Sequence, residues 1–269
     1  MTRHVTVLFV TIVLLAVDLP FAAHTRQAPL RVCSDPNNLP FSNAKREGFE
    51  NILAERLARD LGTGVVYTWW AQRRGFLRNT LNAGTCDVVM GYPADAEGVI
   101  ATRPYYRSTY VFVTRRARQL EIRSFDDPQL RTLRIGVQLI GDDGMNSPPA
   151  HALSRRGIVG NLVGYTVYGD YRQDSPPAAI VNAVARGDID IATAWGPLAG
   201  YFATRAAEPL AVTPVQPMQD GAMRQTFAIA MAVRKDDTAR AARLNQFITS
   251  HQREIDALLA QYGVPRVTP

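Results

Sequence analysis

The 269-residue chain is 46% apolar and 20% charged, which suits one large folded domain or two small ones and excludes wholesale disorder. Its formal charge of +6 comes almost wholly from arginine, with lysine only at Lys45 and Lys235, and no nucleic-acid-binding motif accompanies that charge. Histidine occurs only at positions 4, 24, 151 and 251 and cysteine only at 33 and 86, which argues against a multi-histidine metal centre and a disulfide-dense scaffold.

The chain opens on Arg3 and a 13-residue apolar run from Val5 to Val17, closed by Asp18-Leu19-Pro20 and the stretch Phe21-Ala22-Ala23-His24-Thr25. That order is the n-, h- and c-region of a secretory signal, and the run is too short to span a bilayer. Residues 1–25 are therefore read as a signal peptide and the mature chain as periplasmic, in an oxidising compartment. The cleavage position stays open, because Ala23 and Thr25 fit the small-residue rule only loosely, and an uncleaved anchoring helix is the alternative. No later stretch is apolar enough for a membrane span.

A first series of elements follows. A buried strand over 30–34 leads into a loop dense in Pro, Asn and Asp, running to Glu47. Apolar residues at Phe49, Ile52, Leu53, Leu57 and Leu61 predict an amphipathic helix over 48–61. A strand over 65–70, a short helix over 76–83 stopped by Gly84, and a strand over 87–92 complete it. The second series predicts strands at 134–139, 162–168 and 189–195, with helices at 147–156 and 177–186. The runs Tyr110 to Thr114 and Phe227 to Val233 close the two series and read as paired strands crossing between lobes. The last stretch, 238–262, reads as two amphipathic helices broken near Ser250, folded back on the first lobe.

The two series repeat each other. Leu30-Arg31-Val32-Cys33 resembles Leu133-Arg134-Ile135-Gly136, and Gly84 to Tyr92 resembles Gly187 to Trp195, both at an offset of 103 residues. Strands alternating with helices at this spacing imply parallel sheets. The expected fold class is α/β, two lobes joined by a two-strand hinge, with residues 26–113 and 227–269 in lobe 1 and 114–226 in lobe 2.

In open parallel sheets ligands sit beyond the carboxyl ends of the strands. The cleft candidates there are Asn37, Asn38, Phe41, Tyr92, Asp95, Gln138, Asp142 and Trp195, mostly aromatic and amide groups suited to small-molecule or partner capture. Packing of the two lobes is the other role open to the aromatics. Trp70, Arg73, Arg74 and Phe76 form a second patch, aromatic residues interleaved with arginine, that suits anchoring a protein partner. Cys33 in the first strand and Cys86 before the third fall on strands that are commonly neighbours, so a disulfide is expected, with two buried free thiols as the alternative. No nucleophile elbow, P-loop or zinc-protease motif occurs, and Asp142-Asp143-Gly144 lacks calcium-loop spacing, so neither catalysis, a cofactor nor a metal is expected.

The order of elements over 30–262 resembles the periplasmic substrate-binding proteins of the amino-acid type, family 3. Within that family, three stretches resemble the MoxJ/XoxJ-type branch associated with quinoprotein methanol dehydrogenases. They are Arg31 to Asn43 (RVCSDPNNLPFSN), Trp70 to Leu81 (WAQRRGFLRNTL) and Cys86 to Gly91 (CDVVMG). The resemblance implies a type II periplasmic-binding-protein-like fold. It also implies a monomeric, non-catalytic accessory protein that matures or activates a PQQ-dependent methanol dehydrogenase by binding it. The alternative is an ABC-transporter receptor for a small polar or aromatic solute. Amino-acid binders of the family carry an arginine after the third strand and an acidic residue after the last parallel strand of the second lobe. This chain has Ala94-Asp95-Ala96-Glu97-Gly98 and Trp195-Gly196-Pro197 in those places, so both charge-assisted contacts to an amino acid are missing.

Overall fold

Short apolar strands and amphipathic helices alternate along the chain because neither can bury its apolar face alone. The computed structural model describes residues 27–139, 146–167 and 174–268, so the expected signal peptide and Asp142 lie outside the described residues. In chain order the first elements are β1 (Leu30–Ser34), β2 (Asn37–Asn38), β3 (Ser42–Asn43), α1 (Phe49–Asp60), β4 (Val65–Trp69), α2 (Phe76–Asn79), β5 (Val88–Pro93), β6 (Ile100–Ala101) and β7 (Tyr106–Arg115). There follow β8 (Ile135–Leu139), α3 (Pro148–Arg155), β9 (Leu162–Thr166), α4 (Ala179–Arg186), β10 (Ile191–Trp195), α5 (Gly196–Ala203) and β11 (Leu210–Pro214). The chain closes with β12 (Gln219–Asp220), β13 (Met223–Arg224), β14 (Thr226–Val233) and α6 (Thr238–Gln261).

One mixed sheet runs β4-β1-β5-β14-β7-β10-β8-β9, with β6 beside β14 and β11 beside β7. Its halves share one plan. β1 lies between β4 and β5, parallel to both, and β8 lies between β9 and β10 in the same way. An antiparallel strand closes each trio: β14 beside β5 and β7 beside β10. β7 joins the halves, pairing with β14 over Tyr106–Thr109 and with β10 and β11 beyond that point.

The 103-residue repeat survives in the hydrogen bonds. Asp87 donates its N–H to the Arg31 carbonyl, and Asp190 donates its N–H to the Arg134 carbonyl. The side chains differ. Asp87 accepts from the Arg31 guanidinium at 2.6 and 2.9 Å and from Arg234 at 3.0 Å, with its side chain 9% exposed. Asp190, at 25% exposure, takes Arg118 at 2.7 Å and the Arg134 N–H at 2.9 Å. Burial raises the Asp87 carboxyl, but the hydrogen bonds from Arg31 and Arg234 outweigh it and hold the group below its usual range. Asp87→Asn is expected to cost about 2 kcal/mol, because it takes the charge from a buried acceptor of several guanidinium bonds. Asp190→Asn should cost less than about 1 kcal/mol, as more exposed pairs do. Urea unfolding at neutral pH checks both, and equal costs would contradict the assignment. The Asp87 contribution is present above the usual carboxylate pKa and disappears as pH falls through its lowered value.

Phe49, Leu53 and Leu57 of α1 enter one core cluster with Leu244, Phe247, Ile248, Ile255, Leu258 and Leu259 of α6. The expected break near Ser250 is absent: α6 is one helix of 24 residues. Ile248 and Ile255 lie two helical turns apart and both are fully buried, so the apolar stripe continues in phase across the polar stretch between them. Within that stretch Gln252 donates to the Tyr105 carbonyl at 3.0 Å, which docks it on the first half of the sheet. The helix α5, the strand β11 and the two-residue strands β2, β3, β6, β12 and β13 escaped the sequence reading. The short helix expected over 76–83 ends at Asn79. Among the described residues no helix is long and apolar enough to cross a membrane.

The expected disulfide forms. Cys33 and Cys86 are bonded with Cα atoms 5.4 Å apart, because β1 and β5 are direct neighbours. Phe76, Leu81, Val89 and Ala232 pack around it.

Candidate functional site

Asp35, at the end of β1, organises the first wall of the cleft. It is 2% exposed; its Oδ1 accepts the Asn37 N–H and its Oδ2 accepts the Gln72 N–H, each at 2.8 Å. Gln72 is thereby fixed between two loops. Its Oε1 accepts from Asn38 Nδ2 at 3.3 Å, and its Nε2 donates to the Gly91 carbonyl at 3.2 Å. Gly91 lets the α1 side chain Glu50 approach, since a Cβ there would stand 2.0 Å from Glu50 Oε1. In the other half, Gln138 Oε1 accepts the Trp195 N–H at 2.8 Å and orients the end of β10. The Trp195 ring lies edge-on to Tyr110 at 5.3 Å and to Phe227 at 5.9 Å.

These walls enclose a cavity of about 400 Å³. Asn38, Phe41, Tyr92, Gln138 and Trp195, expected there from sequence, line it together with Glu50, Gln72, Tyr106, Tyr110 and Phe227. Among the described residues that line it there is no Lys, Arg or His. Burial, reinforced by the nearby Asp35 charge, pushes the Glu50 carboxyl up to about 8. Glu50 is therefore mostly protonated at neutral pH. Burial likewise raises the Tyr92 hydroxyl.

The other expected site residues lie elsewhere. Asn37 stands at the rim, where its Oδ1 accepts the Ser175 N–H at 3.3 Å across the cleft mouth. Asp95 is not among the cavity-lining residues; it is ion-paired with Arg224 of β13, whose guanidinium lies over the Phe227 ring 5.4 Å from its centre. That pair holds the Asp95 carboxyl below its usual range. In the second patch Trp70 is 44% exposed and Arg73 and Arg74 are exposed, but Phe76 is 4% exposed. Phe76 belongs to the packing around the disulfide and not to the surface, because it opens α2 against the inner face of β1 and β5.

Glu50 was missed because it reads as the polar side of an amphipathic helix. A signal was available: Glu50, Ala54 and Ala58 are spaced four apart, and all three are buried, so this stripe of α1 faces inward. Gln72, Tyr106 and Phe227 carry no local motif that marks them as cleft residues.

Residues 30–265 match the family described as bacterial extracellular solute-binding proteins, family 3. Protein MoxJ of Methylorubrum extorquens is 33% identical over 251 residues, 91% of this chain and 83% of that protein. Protein MoxJ of Paracoccus denitrificans is 30% identical, with 93% of each chain covered. Among solved structures, the periplasmic binding protein XoxJ from Methylobacterium extorquens AM1 is 34% identical with a TM-score of 0.73, covering 89% of this chain and all of that one.

Proposed function

The chain belongs to the bacterial extracellular solute-binding proteins of family 3, and from that premise we propose that it is a periplasmic, non-catalytic accessory protein. In this reading it matures or activates a PQQ-dependent methanol dehydrogenase by binding it, and the quinone and metal belong to the partner. The observation that carries the reading is the cleft. It lies beyond the carboxyl ends of the strands, is lined mostly by aromatic and amide groups, and has no basic side chain among its described lining residues to hold a carboxylate. The two lobes, 26–113 with 227–269 and 114–226, would act as a monomer whose rim receives an element of the apo-dehydrogenase. Contacts that differ between open and closed lobes would then favour the docked state. Trp70 with Arg73 and Arg74 supplies an exposed aromatic and basic surface next to the Gln72 loop, suited to such docking.

Retention of purified apo-dehydrogenase on the immobilised mature chain tests this. Retention is expected at low and moderate salt, and Trp70→Ala should weaken it at least about fivefold, the effect of losing an anchor worth about 1 kcal/mol. No retention in either salt would overturn the reading.

A second reading is favoured by the cavity itself. A volume of about 400 Å³ falls within the range of small-molecule sites, so capture of a small solute for an ABC transporter is the competing function.

A further inference from the structure

The floor of the cavity holds a carboxyl group that the docking reading does not use. Glu50 is 6% exposed, and neither a positive charge nor a hydrogen bond acts to favour its ionised form. Asn38, which lines the same cavity, is also 6% exposed, with its Oδ1 buried and without a hydrogen-bond partner among the described residues. The same cavity is lined by three rings in mutual contact, Trp195, Tyr110 and Phe227, with centroids 5.3 to 6.4 Å apart. One of these rings already attracts a cation, since the Arg224 guanidinium lies over Phe227.

A buried carboxyl, an amide oxygen and aromatic faces all present negative potential, and no described lining residue supplies positive charge. An anion is repelled. A zwitterion finds a partner for its ammonium and none for its carboxylate. A neutral aromatic solute finds the rings but makes no use of the carboxyl, which stays protonated. The group that satisfies the whole lining is a compact organic cation.

We propose that this cavity binds a small alkylammonium cation, with Glu50 as its counter-charge and the Trp195, Tyr110 and Phe227 rings as its wall. The inference goes beyond the docking reading and does not depend on it, because it concerns the isolated chain and a small ligand. The ionisable groups acting on Glu50 or on the tyrosines coupled to it are Asp35 from the loop after β1, Tyr67 from β4, Tyr105 and Tyr106 where β7 begins, Glu55 of α1, and Arg46, whose guanidinium lies over the Tyr67 ring 5.2 Å from its centre. Arg46 acts on Tyr67 and no positive charge acts on Glu50 itself, so an arriving cation draws the proton off Glu50.

Calorimetric titration of the mature chain with choline, against its uncharged isostere 3,3-dimethyl-1-butanol, is the test. Choline is expected to bind at least about tenfold more tightly than the isostere, the gain of a desolvated cation–π and ionic contact. Binding at pH 7 should release close to one proton, read from the heats in buffers of different ionisation enthalpy. Glu50→Gln should bring choline within about twofold of the isostere and abolish the proton release. The thermal midpoint of the unliganded variant reports that it is folded, and Trp195→Ala, among the rings, should weaken choline without abolishing proton release. Equal binding of choline and the isostere by the wild-type chain, no saturable choline binding, or unchanged choline affinity in Glu50→Gln would each overturn the proposal. None of these outcomes bears on retention of the dehydrogenase.

Discussion

Reducing the Cys33–Cys86 bond is expected to lower the unfolding free energy by about 4 kcal/mol. The bond closes a loop with a sequence separation of 53, and restricting a loop of that size in the unfolded chain accounts for a figure of this order. It lies between β1 and the start of β5, the central neighbours of the first half of the sheet, among Phe76, Leu81 and Val89. Urea unfolding with and without reductant measures the effect. The double variant Cys33→Ala with Cys86→Ala repeats it without thiols, adding the loss of buried sulfur contacts. A loss below about 1 kcal/mol in both comparisons would show that the bond does not staple the fold.

The second large effect is a stability that falls as pH rises. The Glu50 carboxyl titrates near 8 in the folded chain, against an ordinary value of 4.5. The folded state therefore holds its proton more tightly than the unfolded state does. Stability from this group is fully present below about 4.5 and is lost as pH climbs through about 8, the reverse of an ion-paired carboxylate such as Asp87. The full span amounts to about 5 kcal/mol as an upper bound. Glu50→Gln cannot ionise, so its stability relative to wild type should improve by about 3 kcal/mol between pH 5 and pH 8. Urea unfolding of both proteins at the two pH values checks it, and a constant difference would show that Glu50 ionises in the folded chain near its ordinary pKa.

Much of this architecture is legible in the sequence. The Asp-led repeat at 87 and 190 predicted two equivalent half-sheets, and the paired main-chain bonds from Asp87 to Arg31 and Asp190 to Arg134 realise it. The disulfide followed from the adjacency of the two strands that carry its cysteines. The end of α6 was harder, since a polar stretch looks like a break unless the phase of Ile248 and Ile255 is counted across it. α5 escaped because Gly196 and Pro197 open it, residues that read as a turn although Pro is well placed at a helix start.

The site was legible at the strand ends and illegible between them. Asn38, Tyr92, Gln138 and Trp195 line the cavity because strand carboxyl ends converge there. Phe76 was misplaced because aromatic residues interleaved with arginine look alike whether they face solvent or a disulfide. Asp95 was misplaced because sequence cannot foresee its partner Arg224, 129 positions away. Glu50 and Gln72 depend on loops meeting in space, which no local pattern records.

In this chain a family 3 solute-binding scaffold keeps a cleft whose described lining residues offer no basic side chain to grip the carboxylate of an amino acid. Titrating the mature chain with each of the common L-amino acids in a calorimeter tests it most directly. No saturable heat is expected at millimolar ligand for any of them, since an unpaired carboxylate in this cavity forgoes its strongest contacts. Micromolar binding of any one amino acid would contradict it.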